Sequence, residues 1–115
     1  MHNEQLIISY EDFTKVNICA GTIIAAALNP KAKKPSYMLQ IDFGKLGIKT
    51  SSAQITENYT PEKLIGQQIV AVMNFPIKPV AGIKSEVLVL ASVSDEAGTV
   101  LLQPTKSVPN GSRIL

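Results

Sequence analysis

Residues 47–54 combine a lysine with a run of hydroxyl and amide side chains. The segment reads Gly-Ile-Lys-Thr-Ser-Ser-Ala-Gln, so Lys49 comes just before Ser51 and Ser52. Several hydrogen-bond donors in succession can bind a phosphate or a ribose once a lysine supplies the attraction. The capped start of a helix is the alternative interpretation, and the residues alone leave both open.

Residues 74–79 join an amide, an aromatic ring and a second lysine. Asn74 and Phe75 follow an apolar run, and Lys78 lies between two prolines. Prolines stiffen a loop and lower the entropy that is lost when it becomes ordered. The segment fits a loop that holds a polyanion, and it fits equally well an ordinary proline-rich loop whose Phe75 packs inward.

Residues 82–86 carry a third lysine next to a hydroxyl group. Lys84 and Ser85 stand just before the apolar run 87–90. The pair suits a phosphate contact, and an ion pair between Lys84 and Glu86 is the competing interpretation. Each of the three segments is weak evidence when it is taken alone.

Positive charge is concentrated in one part of the chain. The sequence has 11 Lys and Arg against 9 Asp and Glu, a formal net charge of +2. Residues 31–49 hold five lysines against Asp42, which gives this stretch a net charge of +4. Lysine is a point charge that suits phosphate better than base edges, so a polyanion is the predicted ligand unless the stretch is a solvated loop. The five lysines are Lys31, Lys33, Lys34, Lys45 and Lys49.

Residue types that enzymes and metal sites need are scarce. The single histidine, His2, lies beside the N-terminus, where we expect a mobile side chain rather than a catalytic or metal-binding one. The single cysteine, Cys19, has apolar neighbours and is expected to be a buried, inert thiol. No glycine-rich nucleotide motif is present. We therefore expect no enzyme activity, no catalytic residue, no metal and no cofactor.

The hydrophobic pattern is typical of short strands. Two short helices are also expected: one opens after Ser9 around Tyr10–Lys15, and the other has Thr60 as N-cap, Pro61 at its first position and Gly66 as its stop. Strands are predicted at Val16–Leu28, Tyr37–Phe43, Gln68–Asn74 and Val87–Leu90, with shorter pieces at Val100–Gln103 and Ile114–Leu115.

This ground plan predicts a small all-β domain. Five or six short strands, with a small helix between the third and fourth, are typical of a Greek-key barrel of the oligonucleotide-binding (OB) type. An SH3-like barrel is the alternative from the pattern alone. The chain has 115 residues, which suffices for one domain. The longest apolar run, 18–28, is too short to span a bilayer and no signal peptide is recognised, so we expect a cytoplasmic protein with no membrane partner.

The aromatic content argues against base-by-base reading of RNA. The chain has three Tyr, three Phe and no Trp, and most of them stand at positions that favour burial. Proteins that read single strands stack several bases on exposed rings. A folded RNA, recognised by its shape, phosphates and 2′-hydroxyls, suits the lysine and hydroxyl segments better.

Several motifs follow the order found in one protein family. They include Asp12-Phe13-x-Lys15-Val16, Ile41-Asp42-Phe43-Gly44, Lys49-x-Ser51-Ser52-Ala53-Gln54-Ile55, Asn74-Phe75-Pro76 and Lys84-Ser85-Glu86-Val87-Leu88. From about Tyr10 to the C-terminus, the chain resembles the CsaA family, which is similar to the tRNA-binding domain of methionyl-tRNA synthetases. The resemblance implies a five-stranded OB barrel at 10–115 with short helices and terminal extensions, including an N-terminal extension at 1–9. It also implies a homodimer whose basic faces form one tRNA site.

The resemblance further implies which residues face the tRNA. Basic and hydroxyl side chains from the three segments form the site, and other lysines attract phosphates in a general way. The site residues are Lys49, Ser51, Ser52, Asn74, Lys84 and Ser85, and the accessory phosphate contacts are Lys31, Lys33, Lys34 and Lys78.

A second function, from another class, follows from the same resemblance. CsaA proteins are described as chaperone-like in protein export, with apolar pockets that accept peptides. The apolar ends Leu6–Ile8 and Ile114–Leu115 either pair across a two-fold axis or close their own barrel. We therefore predict a non-catalytic, homodimeric tRNA-binding protein, with binding of unfolded peptides or preproteins as the alternative.

Overall fold

The computed structural model describes residues 6–115, which form short strands and two short helices. The helices are α1 (Tyr10–Thr14) and α2 (Pro61–Leu64), and a 3-10 turn covers Gly44–Leu46. The strands are β1 (Ile18–Leu28), β2 (Tyr37–Asp42), β3 (Ile48–Ala53), β4 (Gln68–Val72), β5 (Lys78–Val80), β6 (Ile83–Ser85), β7 (Leu88–Val89), β8 (Ala91–Ser94) and β9 (Gly98–Leu101).

Five of these strands form an almost closed antiparallel barrel. Their order is β3-β2-β1-β4-β7, and β5–β6 and β8–β9 are separate two-stranded hairpins. The barrel closes where β3 faces residues 85–88, a region that we call the seam. There the backbone N–H of Glu86 donates to the carbonyl oxygen of Thr50 at 2.8 Å. With α2 between β3 and β4, this architecture confirms the predicted OB-type barrel.

Alternating side chains of the barrel strands build the core. Ile23, Leu39, Ile41 and Phe43 have no solvent-exposed surface. Gly21 is required where β1 passes the ring of Phe43, because a Cβ atom there would lie 2.6 Å from Cδ1 of that ring. Burial of such side chains is the main stabilising contribution in a domain of this size.

Both predicted helices are present. Ser9 caps α1, since its Oγ accepts from the Asp12 N–H at 3.1 Å while the Asp12 carboxylate accepts from the Ser9 N–H at 3.2 Å. This reciprocal pair is a capping box, which satisfies two otherwise free donors of a helix start. Helix α2 begins at Pro61 after the N-cap Thr60, although the Thr60 side chain makes no capping hydrogen bond.

Two parts of the sequence prediction need correction. Residues 47–54 contain strand β3, so the helix start considered for them is wrong. Ile114–Leu115 does not form a regular strand: the C-terminal segment contacts β1 through an isolated bridge between Cys19 and Arg113 and a 2.8 Å bond from the Ile114 N–H to the Ile18 carbonyl. The hairpin β5–β6 was not predicted, because its first strand contains Pro79.

The remaining expectations concern Cys19, His2 and the membrane. Cys19 is 3% exposed, as predicted, and burial raises the pKa of its thiol although Arg113 opposes this effect. His2 lies outside the described residues. No helix between residues 6 and 115 is long and apolar enough to cross a bilayer.

Candidate nucleic-acid interface

Strands β2 and β3 present to solvent an outer face that mixes polar side chains with Met38 and Ile48. Successive side chains of a strand point to opposite sides of its sheet. Met38 and Gln40 of β2 face outward, opposite Ser52 and Thr50 of β3. Leu39, between the two β2 residues, is fully buried in the barrel. In OB folds, the face formed by this pair of strands belongs to the ligand-binding surface.

Two loops border the outer face and are bonded to each other. Residues 29–36, which we call the lysine loop, connect β1 to β2, and the β5–β6 hairpin covers residues 78–85. The amide Nδ2 of Asn29 donates to the carbonyl oxygen of Ala81, at the hairpin turn, over 3.3 Å. Met38 lines the groove between the two loops, so the outer face continues into both of them.

Five exposed lysines lie on these two loops. Among residues 6–115, the ion pairs are Lys15–Asp12 and Lys49–Glu86, and none involves a lysine of either loop. Their ammonium groups therefore keep their attraction for an anionic ligand. Lys31, Lys33 and Lys34 belong to the lysine loop, and Lys78 and Lys84 belong to the hairpin.

Lys49 has a different environment. It pairs with Ile41 across the β2–β3 ladder and so shares the inner face of β3 with Ser51. Its Nζ lies 4.0 Å from Oε2 of Glu86, and the two side chains are 38% and 32% exposed. Lys49 therefore reaches solvent at the seam, where a carboxylate already neutralises part of its charge. Glu86 thus pairs with Lys49. The ion pair between Lys84 and Glu86, which was considered from the sequence, is not formed.

Ser51 is removed from the predicted site by its burial. The side chain is 0% exposed, and its Oγ donates to the carbonyl oxygen of Val87 at 3.1 Å. A hydroxyl in this position cannot contact a ligand on the surface. The prediction for Ser51 is wrong because it lies on the inner face of β3, where it stabilises the seam.

Ser52 and Ser85 meet across the seam. The backbone N–H of Ser52 donates to Oγ of Ser85 at 3.1 Å. Both residues are half-buried, and Ser52 lies on the outer face. Among the described residues, neither hydroxyl donates its proton to a protein acceptor. Both protons are therefore available to a ligand oxygen.

Asn74 braces two elements. Its Oδ1 accepts from the Asn17 N–H at 2.9 Å, and its Nδ2 donates to the Lys15 carbonyl oxygen at 2.7 Å. These bonds tie the end of β4 to the segment between α1 and β1. Because Oδ1 and Nδ2 are both hydrogen-bonded within the protein, Asn74 connects these two segments. The tRNA contact of Asn74 stays a prediction.

Thr50 and Gln40 are uncharged polar residues of the outer face that were not among the predicted site residues. They lie opposite each other on β3 and β2, beside Ser52. Strand alternation was the signal that could have found them. Had residues 48–53 been read as a strand, Thr50 and Ser52 would have fallen on the face opposite Ser51.

Comparison with known proteins identifies a family. The family model described as "Putative tRNA binding domain" matches residues 18–113, which contain the whole barrel and both lysine-bearing loops. The chain belongs to this tRNA-binding domain family. The methionine–tRNA ligase of Methanococcoides burtonii is 35% identical to the domain over 108 residues, which are 94% of this chain and 16% of the ligase. The chain thus spans about one sixth of the length of the curated relatives it matches.

Solved structures resemble the tRNA-binding domain over nearly its whole length. The crystal structure of chaperone CsaA from Bacillus anthracis str. Ames has a TM-score of 0.91 and 53% identity, covering 96% of this chain and 100% of that one. A CsaA chaperone protein from Picrophilus torridus has a TM-score of 0.88 and 44% identity, covering 95% of this chain and 100% of that one. The predicted resemblance to the CsaA family is confirmed.

The tRNA-binding domain also exposes an apolar groove. Phe75 and Leu88 line it, and they are 54% and 49% exposed. Ile77, in the same loop as Phe75, is 58% exposed. The interpretation in which Phe75 packs inward is therefore wrong. Lys78 and Glu86 also line this groove, so it adjoins the charged surface.

Proposed function

We propose that this domain binds folded tRNA, without catalysis, through the outer face of β2–β3, the lysine loop and the β5–β6 hairpin. The observation that carries the proposal is a set of five exposed lysines, without an ion pair among residues 6–115, on two loops that are bonded to each other. The proposed direct contacts are Ser52, Lys84 and Ser85, with Lys49 at the seam. Lys31, Lys33, Lys34 and Lys78 supply the accessory phosphate contacts.

The chemistry of this surface favours phosphates and riboses over bases. Lysine ammonium groups and hydroxyls bind phosphate oxygens and 2′-hydroxyls, which carry shape rather than sequence. Tyr10 and Phe75 are the most exposed aromatic side chains between residues 6 and 115. Neither lies on the outer face of β2–β3, so the surface offers no row of rings on which bases could stack.

A homodimer in the cytoplasm completes the proposal. Leu6, Ile7 and Leu115 are 93%, 97% and 79% exposed, which leaves an apolar surface at both ends of the described chain. A second copy of the chain would cover this surface and bring a second set of lysines to the same RNA. We place the protein in the cytoplasm because tRNA is its proposed ligand.

Salt dependence of tRNA binding tests the proposal. Each phosphate contact contributes about 0.7 to 0.9 to the slope of log affinity against log salt concentration, so the five loop lysines predict a slope of about −3.5 to −4.5 for each copy that contacts the RNA. The affinity for a folded tRNA transcript is measured by fluorescence anisotropy between about 50 and 200 mM salt, where this slope is readily resolved. A slope near zero would contradict the proposal.

Lys84→Ala and Lys106→Ala form a matched pair for the same assay. Lys84 lies in the hairpin, whereas Lys106 is an exposed lysine of another loop, and neither forms an ion pair among residues 6–115. Lys84→Ala should flatten the slope by about 0.7 to 0.9, and Lys106→Ala should leave it unchanged. Equal effects of the two variants would show attraction by net charge alone.

Peptide binding is the second candidate function, and the apolar groove beside Phe75 favours it. The two solved structures described above are named CsaA chaperones. An exposed apolar groove of this kind binds an unfolded segment through burial of nonpolar surface. Under this second function, the domain binds unfolded peptides or preproteins.

Suppression of aggregation separates the two functions. Phe75→Ser removes the largest apolar side chain of the groove, and it should abolish protection of an unfolded client while tRNA binding persists. Because nonpolar contacts are nearly insensitive to salt, protection should be the same at low and high salt. If Phe75→Ser protects as well as the unchanged protein, peptide binding at this groove is excluded.

A further inference from the structure

Asn29 is a buried polar residue at the start of the lysine loop. It is 5% exposed, although the loop that it opens is mostly solvent-exposed. Burial of an amide costs free energy unless its groups are hydrogen-bonded. The bonds that Asn29 makes therefore decide what its burial achieves.

Asn29 first shapes the lysine loop itself. Its backbone N–H donates to the carbonyl oxygen of Ser36 at 2.9 Å, which closes the base of the loop. Its Oδ1 accepts from the backbone N–H of Lys31 at 3.1 Å, which turns the chain at the position of the first lysine. Between these bonds, three lysines repel one another, so the closed shape needs such support.

Asn29 then links the lysine loop to the hairpin. Its Nδ2 donates to Ala81, a residue with φ +46, and the next residue, Gly82, has φ +86. A Cβ atom on Gly82 would lie 3.3 Å from Cδ of Lys31, so the side chain of Lys31 lies across the hairpin turn. One amide and one lysine stem thus join two loops that are 52 residues apart in sequence.

We propose that Asn29 is a positioning residue for RNA binding. It holds the lysine loop against the β5–β6 hairpin, so that the lysines of both loops face one segment of RNA. This inference rests on the proposed tRNA function. Without the link, the lysine loop has to be ordered during binding, and that ordering weakens the affinity.

Asn29→Ser tests the link. A serine oxygen can still accept from the Lys31 N–H in a local turn, but it is too short to reach Ala81. Affinity for folded tRNA is measured in the unchanged chain and in a chain that carries Lys31→Ala, Lys33→Ala and Lys34→Ala. Loss of one hydrogen bond predicts about fivefold weaker binding by Asn29→Ser in the first background. In the background without loop lysines, we expect no further loss, because a positioning residue acts only through the groups that it positions.

Asn58→Ser is the matched control. Asn58 also donates from its side-chain amide to backbone carbonyls, those of Ala97 at 2.7 Å and Thr99 at 3.0 Å, but it joins the β8–β9 hairpin. The Asn58→Ser variant should leave tRNA affinity unchanged. Circular dichroism establishes that each variant is folded at the temperature of the assay, and Asn29→Thr, which also keeps the local turn, replaces Asn29→Ser if the serine variant is unfolded.

Three outcomes would overturn the inference. Unchanged affinity of a folded Asn29→Ser protein, or an equal loss in both backgrounds, shows that Asn29 does not act through the loop lysines. The first leaves the tRNA function intact, and the second makes Asn29 a general structural residue. Absence of tRNA binding by the unchanged chain overturns the proposed function and this inference together.

Discussion

The seam and the two lysine-bearing loops contain the same kinds of residue and use them differently. At the seam, Lys49 faces Glu86, and the hydroxyl of Ser51 donates to a backbone carbonyl. On the loops, Lys33 and Lys84 extend into solvent without an ion-pair partner among residues 6–115. At the seam, Lys49 and Ser51 already interact with protein groups, whereas the loop lysines form no ion pair within residues 6–115.

This difference shows that residue type does not separate structure from function in this domain. The face of the strand on which a residue lies separates the two roles. Neighbouring Ser51 and Ser52 differ only in which side of β3 they face, yet one is fully buried and the other is partly open to solvent. The comparison predicts that loss of the buried Ser51 hydroxyl at the seam lowers stability and that loss of the loop lysines weakens binding.

Removal of the three loop lysines should have the largest effect. We expect Lys31→Ala, Lys33→Ala and Lys34→Ala together to weaken tRNA binding about 100-fold at about 0.15 M salt and to flatten the salt slope by about 2 to 3, because three phosphate contacts are lost. Fluorescence anisotropy with folded tRNA measures both quantities. The melting temperature should not fall.

A second triple variant controls for net charge. Lys45, Lys63 and Lys106 are exposed, and they form no ion pair within residues 6–115. Replacing these three with alanine removes the same charge from other parts of the surface. If both triple variants weaken binding equally, the distinction between loops and remaining surface is lost.

Ser51→Ala and Ser52→Ala should separate the two sides of β3. Ser51→Ala leaves the buried carbonyl of Val87 without its donor, which should lower the free energy of unfolding by about 1 to 3 kcal/mol. Urea unfolding measures this loss, and the folded variant should bind tRNA normally. Ser52→Ala should have the opposite profile, with little change in stability and weaker binding. Weaker tRNA binding by folded Ser51→Ala would contradict the assignment of Ser51 to the seam.

Ala81→Asn should stabilise the hairpin. Ala81 and Gly82 form a two-residue turn in which both have positive φ, and asparagine followed by glycine is preferred in such turns. We expect the free energy of unfolding to rise by about 0.5 to 1 kcal/mol, because asparagine tolerates the left-handed conformation better than alanine. Urea unfolding is the measurement. Ala97 is also a turn residue, but its φ is not positive. Ala97→Asn should therefore leave the free energy of unfolding unchanged.

Glu86→Gln should have the smallest effect. It removes the negative charge beside Lys49 and should raise tRNA affinity about two- to fivefold, with a slope steeper by up to about 0.9 if Lys49 then contacts a phosphate. Stability should change by less than about 1 kcal/mol, because partly exposed ion pairs contribute little. Adding Lys49→Ala to Glu86→Gln should cancel the gain. A persistent gain would show that Lys49 is not the responsible group.

Local signals in the sequence were sufficient for the two helices and for the strands β1, β2 and β4 of the barrel. Ser9 predicted the start of α1, and Pro61 with Gly66 predicted the limits of α2. The polar strand β3 escaped detection, because one of its faces closes the seam through hydroxyls instead of apolar groups. Its alternation was therefore hidden in a run of polar residues.

The site could be predicted in part. Exposed lysines were recognised from composition and order, because charge is local to a residue. The burial of Ser51 and the pairing of Lys49 depend on residues about 36 positions away, which meet β3 only when the barrel closes. The hydrogen bond between Asn29 and Ala81 is equally non-local, and no sequence motif predicts it.

The seam also limits how this domain can be rebuilt. Residues 85–88 are held to β3 in part by the side chains of Ser51 and Ser85. A β5–β6 hairpin grafted onto another OB barrel would carry Ser85 with it, but it would arrive without Ser51 and without the Ser52 N–H from which Ser85 accepts. The smallest transferable unit is the hairpin together with β3.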